Sequence, residues 1–119
     1  MDWMGIIGAH VMWKKRLQAL LDGTSEESLD AAAIGLDNRC TLGQWIYGDG
    51  QTFNQEEKFE EVRLMHAEFH KLAANVVSLY QSGRIEEATV LLNGNYSKLS
   101  ERLKHRIMSL SNQIKAHES

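Results

Sequence analysis

Apolar residues recur along this chain at alternating steps of three and four, the spacing of one face of an α-helix. Ile6, His10, Trp13, Leu17 and Leu20 form the first such stripe, and Asp22-Gly23 ends it. His10 therefore sits on a face expected to be buried. Thr24 with Glu27 makes a capping-box pattern for a short second helix through Ala31, Ala32 and Ala33. Gly35 to Asn38 reads as a break, and Asp37 or Asn38 can cap another short helix that carries Cys40, Leu42, Trp45 and Ile46. Gly48 and Gly50 close it, with Cys40 in its first turn. Asn54 is the expected cap of a long helix in which Phe59, Val62, His66, Phe69, Ala73, Val76 and Tyr80 share one seam, ending at Ser82-Gly83. A last helix runs from Ile85 through Leu92, Tyr96, Leu99, Leu103, Ile107 and Leu110 to Ile114. Asn93-Gly94-Asn95 predicts a kink within it, since glycine costs about 1 kcal/mol against alanine in a helix. The expected architecture is all-α, of the four-helix-bundle type, with short additional helices between the first two long ones.

Composition narrows the function classes. A length of 119 residues suits one domain over residues 1–119, with a core from about 3 to 114 and a frayed polar end, "KAHES". The chain contains no proline, in keeping with long helices. A net charge of −3 gives no basic surface for nucleic acid, and Lys14-Lys15-Arg16 reads as a solvated helix face. No stretch approaches the roughly 20 apolar residues of a membrane span, and no leader pattern opens the chain, so a cytoplasmic location without membrane insertion is expected. The single cysteine cannot form an intramolecular disulfide, which leaves its thiol free for metal or redox chemistry.

The candidate chemistry starts from "HAEFH", His66 to His70. Four residues apart, the two rings differ by about 40° around the helix axis and can reach one point. Zinc proteases use the same spacing but need a glutamate directly after the first histidine; here that residue is Ala67, and Glu68 faces away. His10 and Cys40 complete a set of three imidazoles and one thiol from three segments, which suits the tetrahedral shell of one Zn²⁺ per chain. Four protein ligands leave no open position, so hydrolysis is disfavoured. A helix start and the neighbouring Arg39 are expected to lower the Cys40 thiol pKa, making it a better ligand and also an oxidation-sensitive group. Taken singly, Cys40 also fits a buried inert thiol. Trp13 and Trp45 could wall the metal from water, or simply pack in the core. Gly43 either allows a close helix approach or is merely tolerated. His105 and His117 read as solvated, and the methionines as core filler.

The segments "HVMW" (10–13), "CTLGQWIYG" (40–48) and "HAEFH" (66–70) together resemble the chemoreceptor zinc-binding domain of bacterial signalling proteins. The likeness covers about residues 3–114, and the family's zinc ligands fall on His10, Cys40, His66 and His70. The resemblance implies a helical bundle that forms a homodimer. It also implies a signalling output of the methyl-accepting chemotaxis or GGDEF diguanylate cyclase type, in cis or in trans, controlled by zinc occupancy. In that setting, hypochlorous acid acting on the zinc-bound cysteine is the alternative signal. A purely structural zinc site is the third reading. An enzyme is not expected: besides the missing base, Glu87 and Glu101 are followed three residues on by Val90 and Lys104, so the last helix lacks a di-iron Glu-x-x-His repeat.

Overall fold

The structure, a computed structural model, describes residues 1–118. Three long helices dominate: α1 (Trp3–Asp22), α4 (Glu57–Gln81) and α6 (Ser97–Glu118). Between α1 and α4 lie the short α2 (Ala31–Ile34) and α3 (Thr41–Tyr47), then a 3₁₀ turn at Asp49–Phe53. A short α5 (Ile85–Leu91) joins α6 through a π-turn at Leu92–Tyr96. The all-α bundle with short helices between the first two long ones is thus the observed architecture, drawn out to extents of 50 × 22 × 21 Å. None of the described helices is long and apolar enough to cross a membrane.

The predicted stripes face inward, except at Ile85, which is exposed. Ile6, Leu17, Phe59, Val62, Phe69, Ala73, Val76, Leu103, Ile107 and Leu110 form one buried cluster with Leu42 and Ile46 from α3. Burial of such side chains, each worth about 1.5–3 kcal/mol, is what holds the long helices together. The methionines depart from expectation: Met1, Met4, Met12 and Met108 are exposed, and Met65 alone packs against the core. Arg16 of the basic run is bound to Glu27 and lies 3.8 Å above the Trp13 ring.

Three helix starts differ from the sequence reading, and in two of them, α2 and α3, a nearer side chain takes the cap. Asp30, not Thr24, caps α2 by accepting from the Ala32 N–H at 3.0 Å; Thr24 donates to the Ala19 carbonyl instead. Asn54 belongs to the end of the 3₁₀ turn, and α4 begins after Glu56. Neither Asp37 nor Asn38 caps α3, because Cys40 itself does so. The kink expected at Asn93-Gly94-Asn95 is the π-turn, where Gly94 leaves helical geometry at φ −102°, ψ −105°. Its physical reason lies in the spacing of Ala88, Leu92 and Tyr96. In an α-helix each four-residue step drifts forward by about 40°, and a wide turn takes up that drift so that all three face the core. Helix α6 continues through Glu118, past the point where the polar end was expected to leave it; Ser119 lies outside the described residues.

Candidate metal centre

His10 reaches the interior from α1, His66 and His70 from successive turns of α4, and Cys40 from the N-cap of α3. The fold brings all four together, with one ligand atom of each lying within 4.8 Å of the others. The Cys40 Sγ stands 3.1 Å from His66 Nε2, 3.6 Å from His70 Nε2 and 4.0 Å from His10 Nε2. His66 and His70 Nε2 atoms are 3.1 Å apart. A tetrahedral zinc with ordinary bond lengths requires separations of about 3.3 Å between nitrogens and about 3.6 Å from nitrogen to sulfur. Cys40, His66 and His70 stand within about 0.5 Å of those separations, and the widest spacing in the set, up to 4.8 Å, closes by a small shift of the rings around a cation.

The hydrogen bonds behind the rings decide which atoms can bind a cation. His10 Nδ1–H donates to the Ile6 carbonyl at 2.8 Å, and His70 Nδ1–H donates to the Ile34 carbonyl at 2.9 Å. A carbonyl only accepts, so the proton is on Nδ1 and the Nε2 lone pair faces the cluster. His66 Nδ1 is buried with no partner among the described residues, and its Nε2 points at both the sulfur and His70. Imidazole lone pairs and a thiol with a single proton cannot satisfy one another. A divalent cation satisfies all four at once.

Protonation follows burial. The three imidazoles are almost fully enclosed, with His66 at 0% exposure, and desolvation disfavours their charged forms. His66 is pushed down to about 2 by burial, with the neighbouring His70 and His10 adding to the effect. Burial also lowers His10 and His70, offset in part by their carbonyl partners. The rings are thus held neutral, the form that ligates. The thiol moves opposite to the sequence expectation: burial pushes Cys40 up, and the N–H groups of Gly43 and Leu42 at the start of α3 offset this only partly. The helix start does bond the sulfur, through the Gly43 N–H at 3.4 Å, yet desolvation is the larger effect until a cation is present.

The loop that presents Cys40 is tightly drawn. At Gly43 an added Cβ would lie 1.7 Å from the Asp37 carbonyl oxygen, so the close approach allowed by this glycine is between backbones. The Tyr47 hydroxyl donates to the Asp37 carboxylate and ties the end of α3 back to the same loop. Neither Trp13 nor Trp45 makes a described ring contact with the three imidazoles. Trp13 lies under Arg16, and the described ring contacts of Trp45 are with Trp3, Phe53 and Phe59. The ring that packs on the imidazoles is Phe69, 5.2 Å from His10 and 5.5 Å from His70 between centroids. Its place inside "HAEFH", three residues after His66, was the available signal. The Ile6 and Ile34 carbonyls carry no signal in sequence, because any residue supplies one. His105 is exposed as expected, and His117 lies 4.0 Å from Glu56 at the surface.

A cleft of about 460 Å³ opens between the start of α1 and the start of α3, lined in part by Asp2, Gly5, His10, Arg39 and Cys40. Cys40 is only half-buried, so among the four donors it is the one that solvent reaches most readily. A family model described as the chemoreceptor zinc-binding domain matches residues 10–77, more than half of the 119 residues, and the chain belongs to that family. Comparisons with curated proteins and with solved structures return no significant match.

Proposed function

We propose that this chemoreceptor zinc-binding domain is a regulatory module in which His10, Cys40, His66 and His70 hold one Zn²⁺ and zinc occupancy controls a signalling output. The observation that carries the reading is the convergence of four matched donor atoms from α1, α3 and α4. Zinc, when bound, supplies a cation that fixes these helices to one point, so gain or loss of the ion alters how they pack. The output is a chemotaxis-receptor or GGDEF diguanylate cyclase module, in cis or in trans, in the cytoplasm. The domain is not an enzyme: with four protein ligands no position is left for water, and Glu68 is exposed on the far side of α4.

A second reading, oxidant sensing through Cys40, is favoured by the cleft. It leads to the sulfur and to the His10 side, while His66 and His70 do not line it, and Arg39 places a cation at its wall. Homodimer formation is supported by the outward face of α1, where Met4, Val11 and Met12 are exposed apolar side chains ahead of Lys15; Met4 is 71% exposed. Such a face is better accommodated against protein than against water.

Native mass spectrometry of protein purified without added metal and then equilibrated with zinc tests both statements. The expected species is two chains carrying two zinc ions. Well under one zinc per chain ends the metal reading, whereas single chains each carrying one zinc remove only the dimer.

A further inference from the structure

Phe69 touches the metal centre on one side and a different element on the other. Its ring centroid lies 5.2 Å from His10 and 5.5 Å from His70, and also 5.2 Å from Tyr96, at an interplanar angle of 36°. Phe69 and Tyr96 are both at 0% exposure, so neither ring can shift without displacing its neighbours in a close-packed interior. Tyr96 closes the π-turn at Leu92–Tyr96, where the chain departs from α geometry between α5 and α6. The turn is supported at its end by a side chain: the Ser97 hydroxyl donates to the Leu92 carbonyl at 2.7 Å. Without the wide turn, the drift of the 88, 92, 96 spacing would carry Tyr96 away from Phe69. The Tyr96 hydroxyl is buried with no partner among the described residues, a cost that phenylalanine would avoid. Packing of the ring accounts for the residue's place, and the hydroxyl does not.

From this contact chain we infer that Tyr96 is a positioning residue for the metal centre: held by the π-turn, its ring backs Phe69, which sets His10 and His70 for the cation. The inference rests on the zinc reading above and extends it, because it makes the junction of α5 and α6 an element that responds to metal. That junction contributes none of the four ligands. It adjoins a surface groove of about 530 Å³ lined in part by Leu79, Val90 and Gly94, so a change in the turn is presented at the protein surface.

The test uses Co²⁺ in place of zinc, since its visible bands report ligand geometry, on the wild-type chain and on Tyr96→Leu and Tyr96→Phe. Supporting residues of a metal site commonly alter affinity by about 10–100-fold. Tyr96→Leu is expected to weaken cobalt binding about tenfold and to shift the bands, and Tyr96→Phe to restore both to within about twofold of wild type. A helical Tyr96→Leu protein with wild-type affinity and spectrum overturns the inference. Should Tyr96→Leu fail to fold, amide exchange of the wild-type chain decides. Slower exchange over residues 92–97 on zinc loading supports the coupling, and identical exchange with zinc or chelator overturns it. If the wild-type chain takes up no cobalt or zinc, the metal reading itself has failed and the inference falls with it. A silent π-turn beside a loaded centre removes the inference alone.

Discussion

Cys40→Ala is expected to weaken zinc binding about a thousandfold or more, roughly 4 kcal/mol, while leaving the helical content intact. Cys40 is the one donor able to become an anion, so its loss leaves a divalent charge among three neutral imidazoles in a buried setting. The same substitution is expected to remove the pH dependence of binding. Burial lowers the imidazole pKa values and raises that of the thiol. Near neutral pH the metal-free centre therefore carries one exchangeable proton, on sulfur, and zinc must displace it. Affinity accordingly tightens about tenfold per pH unit between about pH 6.5 and 8, and levels off only above the raised thiol pKa. In Cys40→Ala the corresponding slope is close to zero. Competition titrations against a zinc chelator across that range measure both quantities; a wild-type slope of zero would show that sulfur enters the shell without losing a proton, or does not enter it.

Gly43→Ala is the second large effect. Its methyl would fall 1.7 Å from the Asp37 carbonyl oxygen and 2.9 Å from the Asn38 Cα, both backbone atoms that no side-chain rotation can clear. The loop from Asp37 to Cys40 must move away, taking the sulfur off the imidazoles and breaking its bond to the Gly43 N–H. Overpacking of this kind costs about 3 kcal/mol, and the melting temperature of the metal-free protein should fall by roughly 10 °C. Zinc affinity should drop about a hundredfold, because the ligand set is intact but misplaced. Gly8→Ala is the control. A Cβ there meets open space, so the substitution should stabilise α1 by up to about 1 kcal/mol and leave zinc retention unchanged. Calorimetry with chelator, followed by metal analysis, separates the two variants.

The long helices and the three histidines were legible because each rests on a periodicity that local competition does not disturb, and Cys40 because it is the chain's single cysteine. His10 shares its stripe with Ile6, Trp13 and Leu17, and "HAEFH" fixes two rings on one helix face whatever surrounds it. The helix starts were less legible, since Thr24, Asp30, Asp37, Asn38, Cys40 and Asn54 are all capable of capping and tertiary packing selects among them. Cys40 prevailed over Asp37 because Asp37 is engaged by the Tyr47 hydroxyl while the sulfur is aimed at the Gly43 N–H. The thiol pKa runs opposite to the sequence expectation because sequence shows the helix start and Arg39 but not the depth of burial, and burial is the stronger influence. Trp13 and Trp45 sit near the ligands in sequence, yet Trp13 lies under Arg16 of its own helix and Trp45 packs on Trp3, Phe53 and Phe59 from other elements. Phe69 takes the expected place of those rings, and only the packing of α4 on α1 reveals it.

The central claim is that one sulfur and three ring nitrogens share a single Zn²⁺. X-ray absorption at the zinc edge on the loaded protein at neutral pH examines that shell without reference to any signalling readout. The expected result is one sulfur at about 2.3 Å and three nitrogens at about 2.0–2.1 Å, in a four-coordinate site. A shell of five or six oxygen and nitrogen atoms with no sulfur would contradict it.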